Sequence, residues 1–304
     1  MILLGTDIGG SSVKLALIDS DDGCRITARG SFSFDGQPAE EMCLQIRGAA
    51  DEMLAEAGLN DEDIKGVGVC VPGNIDKDRS TVVNAYNLGF HNVPLKALVS
   101  ERFPDREVSL MNDADAAALA EYRAGALEGC ENSILLTLGT GLGAGLILGG
   151  KIFLGGCGRG FELGHVPFRN GGDPCTCGLK GCMERYVSAS RLARDGAREL
   201  GDTFGTARAV TDAARAGNKT ACRLLDDYIE DLSDAIAGIC NMFDPERIAV
   251  GGGLSAAGEI LFAPLTDLVE RKNFYRARYE IVPARFLNDA GVLGAALSVC
   301  LTNA

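Results

Sequence analysis

Apolar residues are grouped along the chain in short blocks whose spacing changes from place to place. Residues 2–8 form one block, Gly9-Gly10-Ser11-Ser12 interrupts it, and residues 13–19 resume it, which is the pattern of a strand, a tight turn and a returning strand. Residues 26–34 read as a third strand. Over residues 38–57 the period lengthens. Met42, Ile46, Ala49, Ala50, Met53, Leu54 and Ala57 recur every three or four positions, so they share one helical face, and Gly58 is placed to end the helix. Residues 64–71 predict a strand of the buried parallel kind, 108–111 a short strand, and 114–124 the helix after it.

The middle of the chain starts this pattern again. Residues 133–138 form an apolar strand, Gly139-Thr140-Gly141-Leu142-Gly143 a glycine turn, and 144–148 a returning strand. Leu3-Leu4-Gly5-Thr6-Asp7-Ile8-Gly9-Gly10 matches Leu135-Leu136-Thr137-Leu138-Gly139-Thr140-Gly141, so one supersecondary unit occurs twice, about 130 residues apart, and duplication is a better account than chance. After a glycine- and cysteine-rich stretch, 155–182, the remainder is mainly helical, with its longest run at 221–243. One more strand, 247–250, enters Gly251-Gly252-Gly253 and then a helix. No low-complexity linker divides the halves. Two α/β domains with a cleft between them are the expected architecture.

Composition narrows the class. The 304 residues are 46% apolar and 23% charged, enough for two cores and unlike a disordered chain. A net charge of −13 argues against nucleic acid or an anionic membrane as partner, since the long-range field repels both. No apolar run approaches the roughly 20 residues that span a bilayer. The first residues lack the basic region of a signal peptide, so a cytoplasmic protein is expected. In that setting the eleven cysteines are buried small hydrophobes or, where clustered, metal ligands, rather than disulfides.

Three constellations carry candidate chemistry. Asp7-Ile8-Gly9-Gly10-Ser11-Ser12 and Gly139-Thr140-Gly141-Leu142-Gly143 each lie between two strands, where glycine permits positive φ and lets backbone N–H groups approach an anion. A pair of ordinary hairpin turns would look the same. A dinucleotide fingerprint is excluded, because a strand rather than a helix follows the second turn. As a phosphate clamp, the two hairpins would place Asp7 to orient a water on Mg²⁺ or hold the metal itself, and Gly251-Gly252-Gly253 would let an adenosine lie against the backbone. The second constellation is Asn112-Asp113-Ala114-Asp115, at a strand-to-helix junction. An N-cap explains it; so does a general base, Asp113, accepting the proton of a hydroxyl that attacks a γ-phosphate, and the two are compatible.

The third is Glu162-Leu163-Gly164-His165 followed by Cys175-Thr176-Cys177-Gly178-Leu179-Lys180-Gly181-Cys182-Met183-Glu184. Three cysteines at i, i+2 and i+7, with one of the chain's two histidines just upstream, can wrap one tetrahedral ion. The thiolate and imidazole set favours zinc over stray cysteines beside an unrelated histidine. His165, Cys175, Cys177 and Cys182 fill all four positions, so the ion would be structural. Glu162 and Glu184, next to it, would be free to hydrogen-bond a polyhydroxyl ligand.

Gly178-x-x-Gly181-Cys182-x-Glu184, preceded by Cys175-x-Cys177 and by Glu162-x-Gly164-His165, resembles the signature of the ROK family, bacterial sugar kinases with related repressors. The resemblance runs along essentially the whole chain. Asp7 to Lys14, with Gly9, Gly10, Ser11 and Ser12, is similar to the family's first phosphate loop, and Gly139, Thr140 and Gly141 to its second. Val250 to Ser255 resembles its adenosine loop, and Gly291-Val292-Leu293-Gly294-Ala295-Ala296 its C-terminal helix. The resemblance implies an actin-like ATPase fold: two ribonuclease H-like domains, residues 1–113 with 291–304 and residues 114–290, closing on ATP·Mg²⁺ and a hexose. It also implies that Asp113 is the base, that Asn112, Glu162, His165 and Glu184 contact sugar hydroxyls, and that His165 serves zinc with one ring nitrogen and sugar with the other. Gly73 and Asn87 would line the pocket, and a homodimer is expected. Asp115 departs from an Asn common in the family, Ser11 from a Thr and Phe90 from a Trp.

The expected activity is therefore transfer of the γ-phosphate of ATP to a hexose, foremost glucose at its 6-hydroxyl. N-acetylglucosamine, N-acetylmannosamine, allose and fructose are alternative acceptors. A sugar-responsive repressor with the same core needs a DNA-binding segment ahead of the first strand, which here begins at residue 2.

Overall fold

A computed structural model of the protein describes residues 1–301. In chain order it contains β1 (Ile2–Ile8), β2 (Ser12–Asp19), β3 (Arg25–Ser33), α1 (Ala39–Ala57), β4 (Ile64–Val71), β5 (Asn74–Ile75), β6 (Val82–Ala85), β7 (Phe90–Val93), α2 (Leu95–Arg102), β8 (Glu107–Asn112) and α3 (Asp113–Ala124). There follow β9 (Ser133–Leu138), β10 (Leu142–Leu148), β11 (Lys151–Ile152), α4 (Glu184–Val187), α5 (Ala189–Leu200), α6 (Ala207–Arg215), α7 (Lys219–Phe243), β12 (Arg247–Gly251), α8 (Glu259–Lys272), β13 (Glu280–Pro283) and α9 (Ala290–Ser298). Among the described residues, no helix is long and apolar enough to cross a membrane.

The chain divides into two compact units. The first comprises Met1–Gly125, Ile152–Phe161 and the described residues from Asn288; the second comprises Ala126–Lys151 and Glu162–Leu287. The expected boundary at residue 113 is displaced, because α3 packs beneath α9 and stays with the first unit, as does the 152–161 segment.

Each unit is built on a mixed five-stranded sheet, in the orders β3-β2-β1-β4-β8 and β11-β10-β9-β12-β13. In both, a glycine hairpin pairs its two strands antiparallel, β1 with β2 and β9 with β10. The first hairpin strand then pairs in parallel with a later strand, β4 or β12, which pairs in parallel with β8 or β13. The repeat seen as a sequence match is thus a repeat of topology. A parallel neighbour needs a crossover, and α1 supplies one between β3 and β4. It packs Met42, Ile46, Ala50, Met53 and Leu54 into the core with Leu4, Leu15 and Leu17, while Ala57 is exposed. It ends at Gly58 in the left-handed region (φ 67°), whose N–H turns back to Leu54 and Ala55 carbonyls.

The last helix, α9, lies on β1 and β4 at backbone contact distance. A Cβ on Gly5 would overlap the Val292 carbonyl oxygen, one on Gly68 the Ala295 carbonyl oxygen, and one on Gly294 the Ala116 carbonyl oxygen. These glycines are selected for closeness, since none of the three has positive φ. Gly68→Ala is expected to cost about 3 kcal/mol, because the obstacle is backbone that cannot rotate aside. Urea denaturation reads this directly, and a midpoint equal to the parent's would refute the close approach.

Candidate functional site

In the first unit the predicted residues converge on two places. One is the β1–β2 turn. Gly9 N–H donates to Ser12 O (2.9 Å), closing it, and Phe34 N–H donates to Ser11 O (3.0 Å). Asp7 stands opposite Lys14 across the hairpin and beside Cys70 on β4. The Cys70 thiol donates to Asp7 Oδ1 (3.4 Å), and a Cβ on Gly291 would come within 2.7 Å of Asp7 Oδ2. Burial pushes the Asp7 carboxyl above its ordinary value, opposed by the Cys70 bond and the Lys14 charge. Asn87, in the single turn Tyr86–Leu88, faces this loop: a Cβ on Gly10 would sit 3.5 Å from Asn87 Cβ. A groove of about 840 Å³ runs past Gly10 and Asn87, lined also by Gln37, Phe90 and Asn92.

The other place is the β8–α3 corner. Asn112 is the N-cap of α3: its Oδ1 accepts from Ala114 N–H (2.8 Å) and Asp115 N–H (3.3 Å). Its Nδ2 donates to Gly73 O (3.2 Å), so one side chain caps the helix and ties the Val71-Pro72-Gly73 turn to it. Gly73 has φ 100°, and a Cβ there would overlap Asn84 O, so only glycine fits. Asp113 is the first residue of α3, half-buried, and its Oδ1 accepts from Ala114 N–H (2.8 Å). The capping and general-base readings therefore fall on adjacent residues. A cavity of about 220 Å³ adjoins the corner, lined by Gly73, Arg79, Asn112, Asp115 and Gly160.

In the second unit the glycine turn and the cysteine segment prove to be one piece. Gly139 N–H donates to Gly141 O (3.1 Å) at the β9–β10 tip, beside Thr140. Glu184, first residue of α4, accepts from Leu142 N–H at Oε2 (3.1 Å), and a Cβ on Gly141 would overlap that carboxylate. A Cβ on Gly164 would overlap Leu142 O. This coupling of the second turn to the Glu162–Glu184 segment leaves no local spacing signal, because Leu142 and Glu184 are 42 residues apart in the chain.

His165 ends the short helix Leu163–His165, and Cys175, Cys177 and Cys182 meet it. The four donor atoms lie within 4.8 Å of one another. Cys175 Sγ is 3.7 Å from His165 Nδ1, and Cys177 Sγ is 3.6 Å from Cys182 Sγ. A tetrahedral ion at ordinary Zn–S and Zn–N lengths separates its ligands by about 3.6–3.8 Å, so the donor set fits zinc. Cys175 N–H donates to Leu179 O (2.8 Å), and Gly178 and Gly181 take positive φ, winding the loop tightly enough for i, i+2 and i+7 to converge. Burial and the neighbouring thiols push Cys182 up to about 12. Burial also raises Glu162, opposed by His165 and reinforced by Glu184. Cys175 Sγ lies 3.9 Å from Glu184 Oε1, which puts Glu184 against the ligand cluster.

The hairpin glycines do not use the positive φ that glycine permits, and in the adenosine-loop triplet one residue does. Among Gly9, Gly10, Gly139, Gly141, Gly251, Gly252 and Gly253, Gly252 alone has it, at 84°. Gly252 and Gly141 are required because a Cβ would strike Leu138 O or Glu184. Beside Gly139 and Gly253 there is open space, where a ligand can approach the backbone. Ser255 Oγ and N–H both donate to Gly252 O, fixing the β12 exit.

The ROK family profile matches residues 3–300. The glucokinase of Thermotoga maritima is 35% identical over 312 residues, covering 97% of this chain and 96% of its own. The crystal structure of a ROK family glucokinase from Streptomyces griseus, in complex with glucose and AMPPNP, superposes with a TM-score of 0.82 at 31% identity, covering 97% of this chain and 98% of that one. The α/β fold with mixed sheets is thus that of the ROK glucokinases, the actin-like ATPase fold. The xylose repressor of Caldicellulosiruptor bescii is 27% identical over 281 residues, 88% of this chain and 70% of the repressor. From the full-length match and these relatives, the chain belongs to the ROK family.

Proposed function

We propose that this protein is an ATP-dependent sugar kinase that transfers the γ-phosphate of ATP to glucose, giving glucose 6-phosphate. The observation that carries the reading is the Asn112–Asp113 corner: a carboxylate at the end of β8, beside an asparagine that both caps α3 and holds Gly73. Full-length likeness to glucokinases points the same way.

In this reading Asp113 accepts the proton of the sugar's 6-hydroxyl as its oxygen bonds to the γ-phosphorus and the bond to ADP breaks. Phosphoryl transfer asks little covalent chemistry of the protein, so aiming the hydroxyl matters as much as basicity. Asn112 and the Gly73 backbone hold neighbouring hydroxyls, with Asn87 at the edge. Within the second unit, Glu162, His165 and Glu184 are the residues assigned to sugar hydroxyls. Backbone N–H groups and hydroxyls at Gly9, Gly10, Ser11, Ser12 and at Gly139, Thr140 and Gly141 meet the phosphates, with Lys14 adding a positive charge, and Gly251, Gly252 and Gly253 leave room for adenosine. Mg²⁺ carried with ATP would neutralise phosphate charge, with Asp7 as the residue that orients it.

The zinc proposed for His165, Cys175, Cys177 and Cys182 has no open position and so no part in the transfer. With Nδ1 turned to Cys175, His165 keeps Nε2 for a sugar hydroxyl. A cytoplasmic setting and a homodimer belong to the same proposal.

An ATP-coupled assay over glucose, N-acetylglucosamine, N-acetylmannosamine, allose and fructose tests the reading. Glucose is expected to give the highest kcat/KM. A preference for an N-acetylhexosamine would reassign the acceptor, and turnover with none of them would favour a sugar-responsive regulator.

A further inference from the structure

We infer that Arg79 is a positioning residue for the Asn112–Asp113 corner, acting through the strand that carries it. The inference rests on the reading of Asp113 as the base. β8 is the outermost strand of its sheet, so one edge of its backbone has no strand partner. Three residues before Asp113, the carbonyl of Leu110 is met by the Arg79 side chain: Nε donates to it at 2.8 Å and Nη2 at 2.7 Å. Two donors in a rigid planar fork fix the direction of approach to one carbonyl, which a single ammonium cannot do.

The β5–β6 hairpin that presents Arg79 is also fastened at its start, where Gly73 O accepts from Asn112 Nδ2 (3.2 Å). One hairpin thereby holds the corner at two points, behind it at Leu110 and at its apex at Asn112. Arg79 itself stands in the left-handed region with φ 55°, a conformation a long side chain rarely takes. It is kept there by Asp76, whose carboxylate accepts from Ser80 N–H (2.7 Å), Thr81 N–H (3.1 Å) and Ser80 Oγ (2.8 Å). Arg79 N–H donates to Asp76 O (3.0 Å), completing the turn. An unfavourable backbone held this firmly beside a reactive corner is the kind of outlier that points to a function. Arg79 is among the residues lining the 220 Å³ cavity, with Gly73, Asn112 and Asp115. Burial lowers its pKa and the Asp115 charge opposes this.

The experiment compares Arg79→Ala, Arg79→Lys and Asp113→Asn with the parent protein. Alanine and arginine share the same aversion to positive φ, so Arg79→Ala removes the fork without relaxing the turn. In Arg79→Ala, kcat is expected to fall about tenfold or more and the glucose KM to rise, since a small misaiming of the hydroxyl is enough to cost this much. The ATP KM should hold, because Arg79 touches none of the glycine turns. Guanidinium ion, below concentrations that unfold the protein, should restore part of kcat in Arg79→Ala only, and Arg79→Lys should fall between the two. Unchanged kcat, or loss of kcat in step with thermal stability and with the ATP KM, would overturn the inference. Should Arg79→Ala not fold, Arg79→Lys gives the kcat, glucose KM and ATP KM readouts. Retained turnover in Asp113→Asn overturns the base and the positioning role together. An inactive Asp113→Asn beside a parental kcat in Arg79→Ala overturns the positioning role alone.

Discussion

Asp113→Asn is expected to lower kcat by about 10²- to 10⁴-fold, the span typical of losing a general base, while glucose binding stays measurable by calorimetry. The substitution is close to isosteric. Its amide oxygen can still accept from Ala114 N–H, and the Asn112 cap, which holds the corner, is untouched. The lost negative charge in the first turn of α3 costs only about 0.3–1 kcal/mol, too little to unfold the unit. A large fall in turnover would then report chemistry rather than collapse. If the variant turned over at the parent's rate, the hydroxyl proton would have another acceptor and Asp113 would be a helix-capping neighbour only.

The second large effect concerns the cysteine segment. Elemental analysis is expected to find about one zinc per chain, and Cys182→Ser to remove it. Apparent binding energies of structural zinc in small domains run to about 10–16 kcal/mol, so its loss far outweighs the few buried apolar side chains of this segment, among them Leu163 and Met183. Proteolysis between residues 162 and 184 should become fast. Glucose affinity should fall with it, because Glu162, His165 and Glu184 ride on the same loop. The Leu142 N–H bond to Glu184 adds a finer expectation: the ATP KM should rise too, as the second glycine turn loses its carboxylate anchor. A metal-free protein with parental protease resistance and parental affinity for both substrates would sink the bracing role.

What could be read from the sequence followed from periodicity and donor type. β1, β4 and β9 begin and end where apolar runs do, and the helix over 39–57 stops at the glycine that its apolar spacing indicated. The cysteine and histidine set was legible because few chemistries need that spacing, and the four donor atoms do meet. The three-stranded sheet of β5, β6 and β7 was not, because strands of two to four residues are too short to show a period. Nor was the role of particular glycines. Gly5 and Gly68 look like interruptions in strands, and their cause is a helix more than 220 residues further on. Arg79 carried no signal at all: an arginine in a polar turn is ordinary until its fork is seen on Leu110 O.

The contact of α9 with Gly5 and Gly68 has a consequence for how the protein is made. On the ribosome, β1 and β4 emerge early, but the helix that covers them is encoded after residue 289. Their glycine-lined face must wait, uncovered, through the synthesis of the whole second unit, whose own chain is complete at Leu287. The second unit is therefore free to fold first although its chain emerges later, and the first closes only when its last helix returns. The emergence of α9, more than that of the first unit's own strands, sets when the corner bearing Asp113 is backed by a finished core.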